Sequence, residues 1–201
     1  LQEHGTSEEF RQRTGLWKLA PESMPAKSLW LARTFPEAQR RCASVMTVSD
    51  YLTFFLTDQR VGDASTAALT GLYDLQSRGW WPDALSRFSL DRSQLSAPLL
   101  PGTRAGELTQ RAAHFFGLHP GTPVAAGALD HHAAALGSGL GVQAEASLSS
   151  GTVLAALILT DTLAPAPGCI HGPHTEGKPY YVLAFDPTGA GRLEDYQRLH
   201  A

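Results

Sequence analysis

The most regular patterning of apolar and polar positions lies between residues 121 and 160. An apolar run at 123–128 reads as a short strand that delivers a single acid, Asp130, to its end. Small residues at 131–140 follow directly and predict a helix. A second strand then leads into a Ser-Ser-Gly-Thr turn at 149–152, and a third strand, 153–160, leaves it.

Upstream, the signals are mostly helical. Pro25 opens a helix running to Phe35, with Leu29, Trp30 and Phe35 as its expected buried face. Pro36 starts a second helix over 36–45, with Arg40 and Arg41 on the wet side. Ser49 is the expected N-cap of a helix over 50–57, and Asp50 in its first turn suits the helix dipole. Its aromatics, Tyr51, Phe54 and Phe55, read as core. Residues 61–75 read as a strand or loop turning into a short helix, and Pro82 opens another, with Trp80 and Trp81 packed at its entry. The Pro/Gly-rich stretch 95–109 predicts an extended surface connection, and Gly117 stops a helix over 108–118. Beyond Thr160, residues 161–179 are proline-rich and read as a solvated loop, followed by a strand at 180–185 and a helix at 189–199.

Composition narrows the class. With 201 residues, 43% hydrophobic and 17% charged, the chain can bury a sizeable core and is not generally disordered. Sixteen basic against 19 acidic residues give a net charge of −3, which supplies no broad basic surface for nucleic acid. Cys42 and Cys169 are far apart and read as reduced thiols, a cytoplasmic signature. No apolar run reaches the roughly 20 residues that cross a bilayer, so no membrane association is expected. The polar start, without an initiating methionine, reads as the middle of a longer protein.

The candidate chemistry sits on the orderly stretch. An acid at the C-terminal end of a strand lies where open α/β sheets hold ligands, and a Ser/Gly/Thr turn offers amides and a hydroxyl to an anion. The plainer alternatives are an N-capping role for Asp130 and a structural turn at Gly151. His131 and His132 are adjacent and cannot share a helix face, so Asp-His-His is not a metal site. Cys169, His171 and His174 offer only three ligands in a loop, short of a recognised zinc pattern. Ser150 lacks the GxSxG surroundings of a hydrolase nucleophile.

The runs GTPVAAGALDHHAAALGSGL and SLSSGTVLAAL resemble the FGGY family of carbohydrate kinases. The likeness extends upstream through RTGLWKLAPESMPAKSLWLARTFPE, SDYLTFFLTD, GDASTAAL and GTRAGELTQRAAHFFGL, and downstream into YYVLAFDPTGAGRLEDYQRL. It implies an α/β chain with part of an actin-like, ribonuclease-H-like ATPase fold. Residues 1–150 would be the later part of the N-terminal kinase domain, and 151–201 the incomplete start of the C-terminal one. It implies Asp130 as general base, His131 as a contact to the sugar, and Gly151 with Thr152 as a cradle for the phosphates of ATP, with Mg²⁺ as the accompanying ion. Asp63 and Ser65 fall in a region that faces the sugar in some relatives. The partner would be a small sugar or polyol, xylulokinase-like substrates first, and a homodimer is an expected assembly of the intact protein. Three departures stand out: Ser28 follows the lysine where an apolar residue is usual, Ala64 replaces the aromatic of glycerol kinases, and no Asp-x-Gly-Thr phosphate loop occurs. Activity is therefore expected only in an intact parent chain, and a non-catalytic sugar-binding or interaction module is the competing reading.

Overall fold

A computed structural model describes residues 4–151, 153–174 and 179–200. The chain is mixed α/β, as its patterning predicts. Helix α1 (Glu8–Thr14) begins at Ser7, whose hydroxyl accepts the Phe10 amide, and ends at Gly15 in the left-handed conformation. Helix α2 (Met24–Thr34) carries Pro25 in its first turn, where a missing N–H costs nothing. It buries Pro25 and Ser28, which turns Trp30, two positions on, outward: Trp30 is 59% and Phe35 51% exposed. The expected buried face of α2 is thus corrected, since only Leu29 of the three packs against the core. Trp30 and Phe35 instead meet edge to face on the surface. In α3 (Pro36–Arg41), Arg40 and Arg41 are exposed as expected.

Helix α4 (Val48–Thr57) starts one residue before Ser49. Thr47 is the N-cap: its hydroxyl accepts the Asp50 amide, and its own amide donates to the Asp50 carboxylate. An acid three residues after a threonine closes a capping box, and Ser49 cannot compete with that reciprocal pair. The inward face of α4 is Asp50 and Thr57, so Tyr51 is exposed and Phe54 and Phe55 are only half-buried, another departure from the expected core. Phe55 packs edge-on against Phe115 and Phe116.

Strand β1 (Val61–Asp63) lies parallel to β4 (Ala97–Leu99) and delivers Asp63 to the start of α5 (Ala64–Ala68). Gly62 lies directly beneath the Asp50 carboxylate, with no room for a Cβ. A hairpin of β2 (Tyr73–Asp74) and β3 (Gly79–Trp80) leads into α6 (Pro82–Arg87), and both tryptophans at this entry are buried. The stretch expected to be an extended connection contains β4 and β5 (Arg104–Glu107). Strand β5 pairs antiparallel with β6 (Pro123–Ala125) around α7 (Gln110–Phe116), which Gly117 closes with φ 65°. The main core gathers Phe10, Leu72, Tyr73, Leu75, Trp81 and neighbours.

Strand β6 is shorter than predicted, and α8 (Asp130–Gly137) begins at the acid itself. Strands β7 (Ala146–Ser150), β8 (Leu154–Thr160), β9 (Cys169–Pro173) and β10 (Tyr180–Asp186) form an antiparallel sheet in the order β7-β8-β10-β9, and α9 (Gly189–His200) follows. Along β8, buried Ala155 and Leu157 alternate with exposed Leu154 and Ile158, the period of a sheet covered on one face. Helix α8 and the turn after it supply that cover: Ala135 of the helix and Leu140 beyond it pack with Ala155, Leu157, Tyr181 and Leu183. The solvated loop expected at 169–174 is overturned. Cys169–Pro173 is a strand, the His171 amide donates to the Gly15 carbonyl, and His171 and His174 are buried. Among the described residues no helix is long and apolar enough to cross a membrane.

Candidate functional site

Asp130 is the first residue of α8 and is exposed. One carboxylate oxygen, Oδ1, accepts the neighbouring His131 amide at 2.7 Å. The preceding residue, Leu129, gives α8 no side-chain cap, and its own amide donates to Ser65 Oγ at 2.7 Å. That hydroxyl donates in turn to Asp63 Oδ1, also 2.7 Å away, while the Ser65 and Thr66 amides donate to the two oxygens of the same carboxylate. Asp63 therefore caps α5 and, through Ser65, anchors the backbone that presents Asp130. Both residues are buried, Ser65 completely, and their hydrogen bonds hold the corner before Asp130.

The two histidines diverge as adjacent helix positions must. His131 is half-exposed beside Asp130, whereas His132 is buried, with Nε2 3.0 Å from His174 Nδ1 and its ring tilted over Tyr181 at 4.5 Å. Burial, reinforced by the His174 imidazole and opposed by the Asp63 carboxylate, lowers the His132 pKa to about 4. Burial likewise raises the Tyr181 phenol, with the Asp63 charge adding to it. His132 is thus a neutral ring at ordinary pH. Sequence reasoning missed its partner because 169–174 read as loop, and that run carries no apolar–polar alternation to mark a strand.

The Ser-Ser-Gly turn connects β7 to β8. Gly151 is exposed, and its amide donates to the Val153 carbonyl at 3.1 Å. A Cβ at this glycine would meet only that carbonyl oxygen, at 3.8 Å, so one flank of the turn is open to close approach. Thr152, the other half of the expected cradle, lies outside the described residues. The sheet that carries this turn also packs against α8. His132 rests on Tyr181, which pairs with Leu159, while the turn precedes Leu154. At about 3.3 Å per residue the two points are roughly 16 Å apart along β8. Elsewhere an apolar cleft of about 570 Å³ opens between Trp17, Met24, Thr66, Leu69, Ile170 and Phe185, and Asp130 does not line it. Among the described residues no three His, Cys, Asp or Glu side chains converge on a metal position.

Residues 1–137 match the model of the FGGY family of carbohydrate kinases, N-terminal domain, and the chain belongs to that family. Its fold is part of the actin-like ATPase fold of those kinases. It is 37% identical over 134 residues to the autoinducer-2 kinase of Klebsiella pneumoniae subsp. pneumoniae, covering 67% of this chain and 25% of that protein. It is 34% identical over 152 residues to the autoinducer-2 kinase of Yersinia pestis bv. Antiqua, covering 76% of this chain and 28% of that one. The crystal structure of xylulose kinase from Rhodospirillum rubrum superposes with a TM-score of 0.87 at 27% identity, over 96% of this chain and 39% of that chain. The chain thus spans about a quarter of the length of the curated relatives it matches.

Proposed function

We propose that these residues form the base-bearing part of an ATP-dependent carbohydrate kinase, acting on a hydroxyl of a sugar or polyol within a complete polypeptide. The placement of Asp130 carries this reading: an exposed carboxylate opens α8, and a buried Asp63–Ser65 pair anchors the residue before it. Asp130 accepts the proton of the substrate hydroxyl as its oxygen bonds to phosphorus, since a protonated hydroxyl is a poor nucleophile. His131, half-exposed on the same turn, contacts another hydroxyl of the acceptor.

Gly151 and Thr152 make the phosphate cradle in this reading. The open flank of Gly151 supports it, although the Gly151 amide is already engaged, so the glycine serves by leaving space rather than by donating. ATP with Mg²⁺ supplies the transferable phosphoryl group and the positive charge that neutralises it. The metal would be held mainly by phosphate oxygens and water, as magnesium in nucleotide sites commonly is. Xylulose and autoinducer-2 come first among acceptors to test, since the similar proteins are named for them.

Asp130→Asn in the complete polypeptide tests the reading. Turnover should fall about 10²-fold or more, the usual contribution of a general base, with ATP and sugar binding retained. Near-normal turnover would remove Asp130 from the mechanism.

A further inference from the structure

The helix that presents Asp130 has little of its own to fix its first turn. Helix α8 is 8 residues long, shorter than an isolated helix that persists in water. Leu129 at its N-cap supplies no side-chain acceptor for the free amides of that turn, a service that Ser, Thr, Asp or Asn would provide. Contacts from distant parts of the chain therefore decide where the turn lies, and two hydrogen bonds flank the acid. On one side is the Leu129 amide to Ser65 Oγ. On the other, the His132 and His174 rings meet at 3.0 Å, joining α8 to the residue that follows β9.

Both of these rings are withdrawn from water, at 0% and 4% exposure. The His132 ring also lies over Tyr181, whose phenol is pressed against Gly172 so closely that a Cβ there would collide with it. An apolar side chain would fill the same space without needing a matched partner. A bond between two neutral imidazoles is directional, because one nitrogen must donate and the other accept, and no water is at hand to replace either. Positions 130 and 132 lie about 200° apart around a helix, so pinning one inward turns the other out.

We infer that the buried His132–His174 pair is a positioning device for Asp130, fixing the rotation and depth of the first turn of α8 so that the carboxylate meets the acceptor hydroxyl. The inference rests on Asp130 being the base. Neither histidine touches substrate in it. His132→Gln keeps a nitrogen where imidazole has Nε2, and His174→Asn keeps a polar atom where imidazole has Nδ1, whereas His174→Ala removes the partner altogether.

The experiment measures kcat and KM for sugar phosphorylation in the complete polypeptide, and amide hydrogen exchange at residues 130–134 in the 201-residue chain. His174→Ala should lower kcat about 10²-fold, the cost of a displacement near 1 Å in a reacting group, with the sugar KM little changed. His174→Asn should recover most of that loss. Exchange at 130–134 should quicken in the alanine variant and slow again in the asparagine one. If the alanine variant does not fold, His132→Gln and His174→Asn carry the test, both keeping most of the parental kcat. Full kcat in a folded His174→Ala, or equal losses in Ala and Asn, overturns the proposal. Should Asp130→Asn prove fully active, the base reading falls by itself. Exchange then decides the positional claim, which unchanged rates in His174→Ala would sink.

Discussion

A neutral histidine buried at the root of α8 makes this protein sensitive to acid. The folded-state pKa of His132, about 4, lies below its ordinary 6.5. The native chain therefore binds fewer protons than the unfolded chain between these values, and stability rises with pH across that interval. The contribution is complete above about 6.5 and is lost as pH falls toward 4, an effect on the order of 3 kcal/mol. Burial lowers His4 and His171 as well, so they act in the same direction. Burial raises Asp50, which opposes the trend in the carboxylate range below. Urea midpoints measured from pH 7 to pH 4 should fall steeply for the parental chain and less steeply for His132→Gln. Parallel slopes would show that His132 does not titrate as its burial demands.

At the scale of elements, the N-terminus of α4 separates local signal from tertiary choice. Ser49 and Thr47 are both acceptable capping residues, and only Thr47 stands three positions before an acid that can return the hydrogen bond. Thr47→Ala should destabilise the chain by about 1 kcal/mol, the usual cost of losing a cap. Ser49→Ala, at an exposed helical position, should stay within about 0.5 kcal/mol. Chemical denaturation of the two variants side by side checks this, and a larger loss at Ser49 would return the cap to it. The helices opened by Pro25, Pro36 and Pro82 and the stop at Gly117 were legible in sequence, because proline and glycine act through their own backbone. Strand β9 was not legible: its run of Cys, Ile, His, Gly and Pro has no strong strand propensity and is ordered by β10 on one edge and the Gly15 carbonyl.

Across the whole molecule, the N-terminal segment and the four-stranded sheet are tied together. The His171 amide bonds to Gly15, Leu16 bridges to Ile170, and α5 packs on β9. The division into a first domain through residue 150 and a second from 151 is our proposal, and the family match itself ends at residue 137. Phosphoryl transfer depends on positioning and charge neutralisation around the nucleotide, so the proposed base and one proposed phosphate turn have little to act on alone. The 201-residue chain, spanning about a quarter of its curated relatives, should therefore release no ADP in a sugar-dependent way. A coupled assay with pentoses, hexoses and polyols checks it; turnover that disappears in Asp130→Asn would overturn the expectation.

The sequence by itself determined the punctuation of the chain, the alternating strands around Gly151, the family, and the residue at the head of α8. These follow from short-range chemistry: fixed φ at proline, freedom at glycine, and side chains alternating across a sheet. Tertiary structure alone decided which aromatics are core, since α2 and α4 turn Pro25, Ser28, Asp50 and Thr57 inward and leave Trp30 and Tyr51 in solvent. It also decided that Asp63 and Ser65 brace Leu129, and that His132 finds His174. Those partners lie 64 and 42 residues apart along the chain, beyond the reach of any local pattern, and only the closing of the chain on itself brings a buried donor to its acceptor.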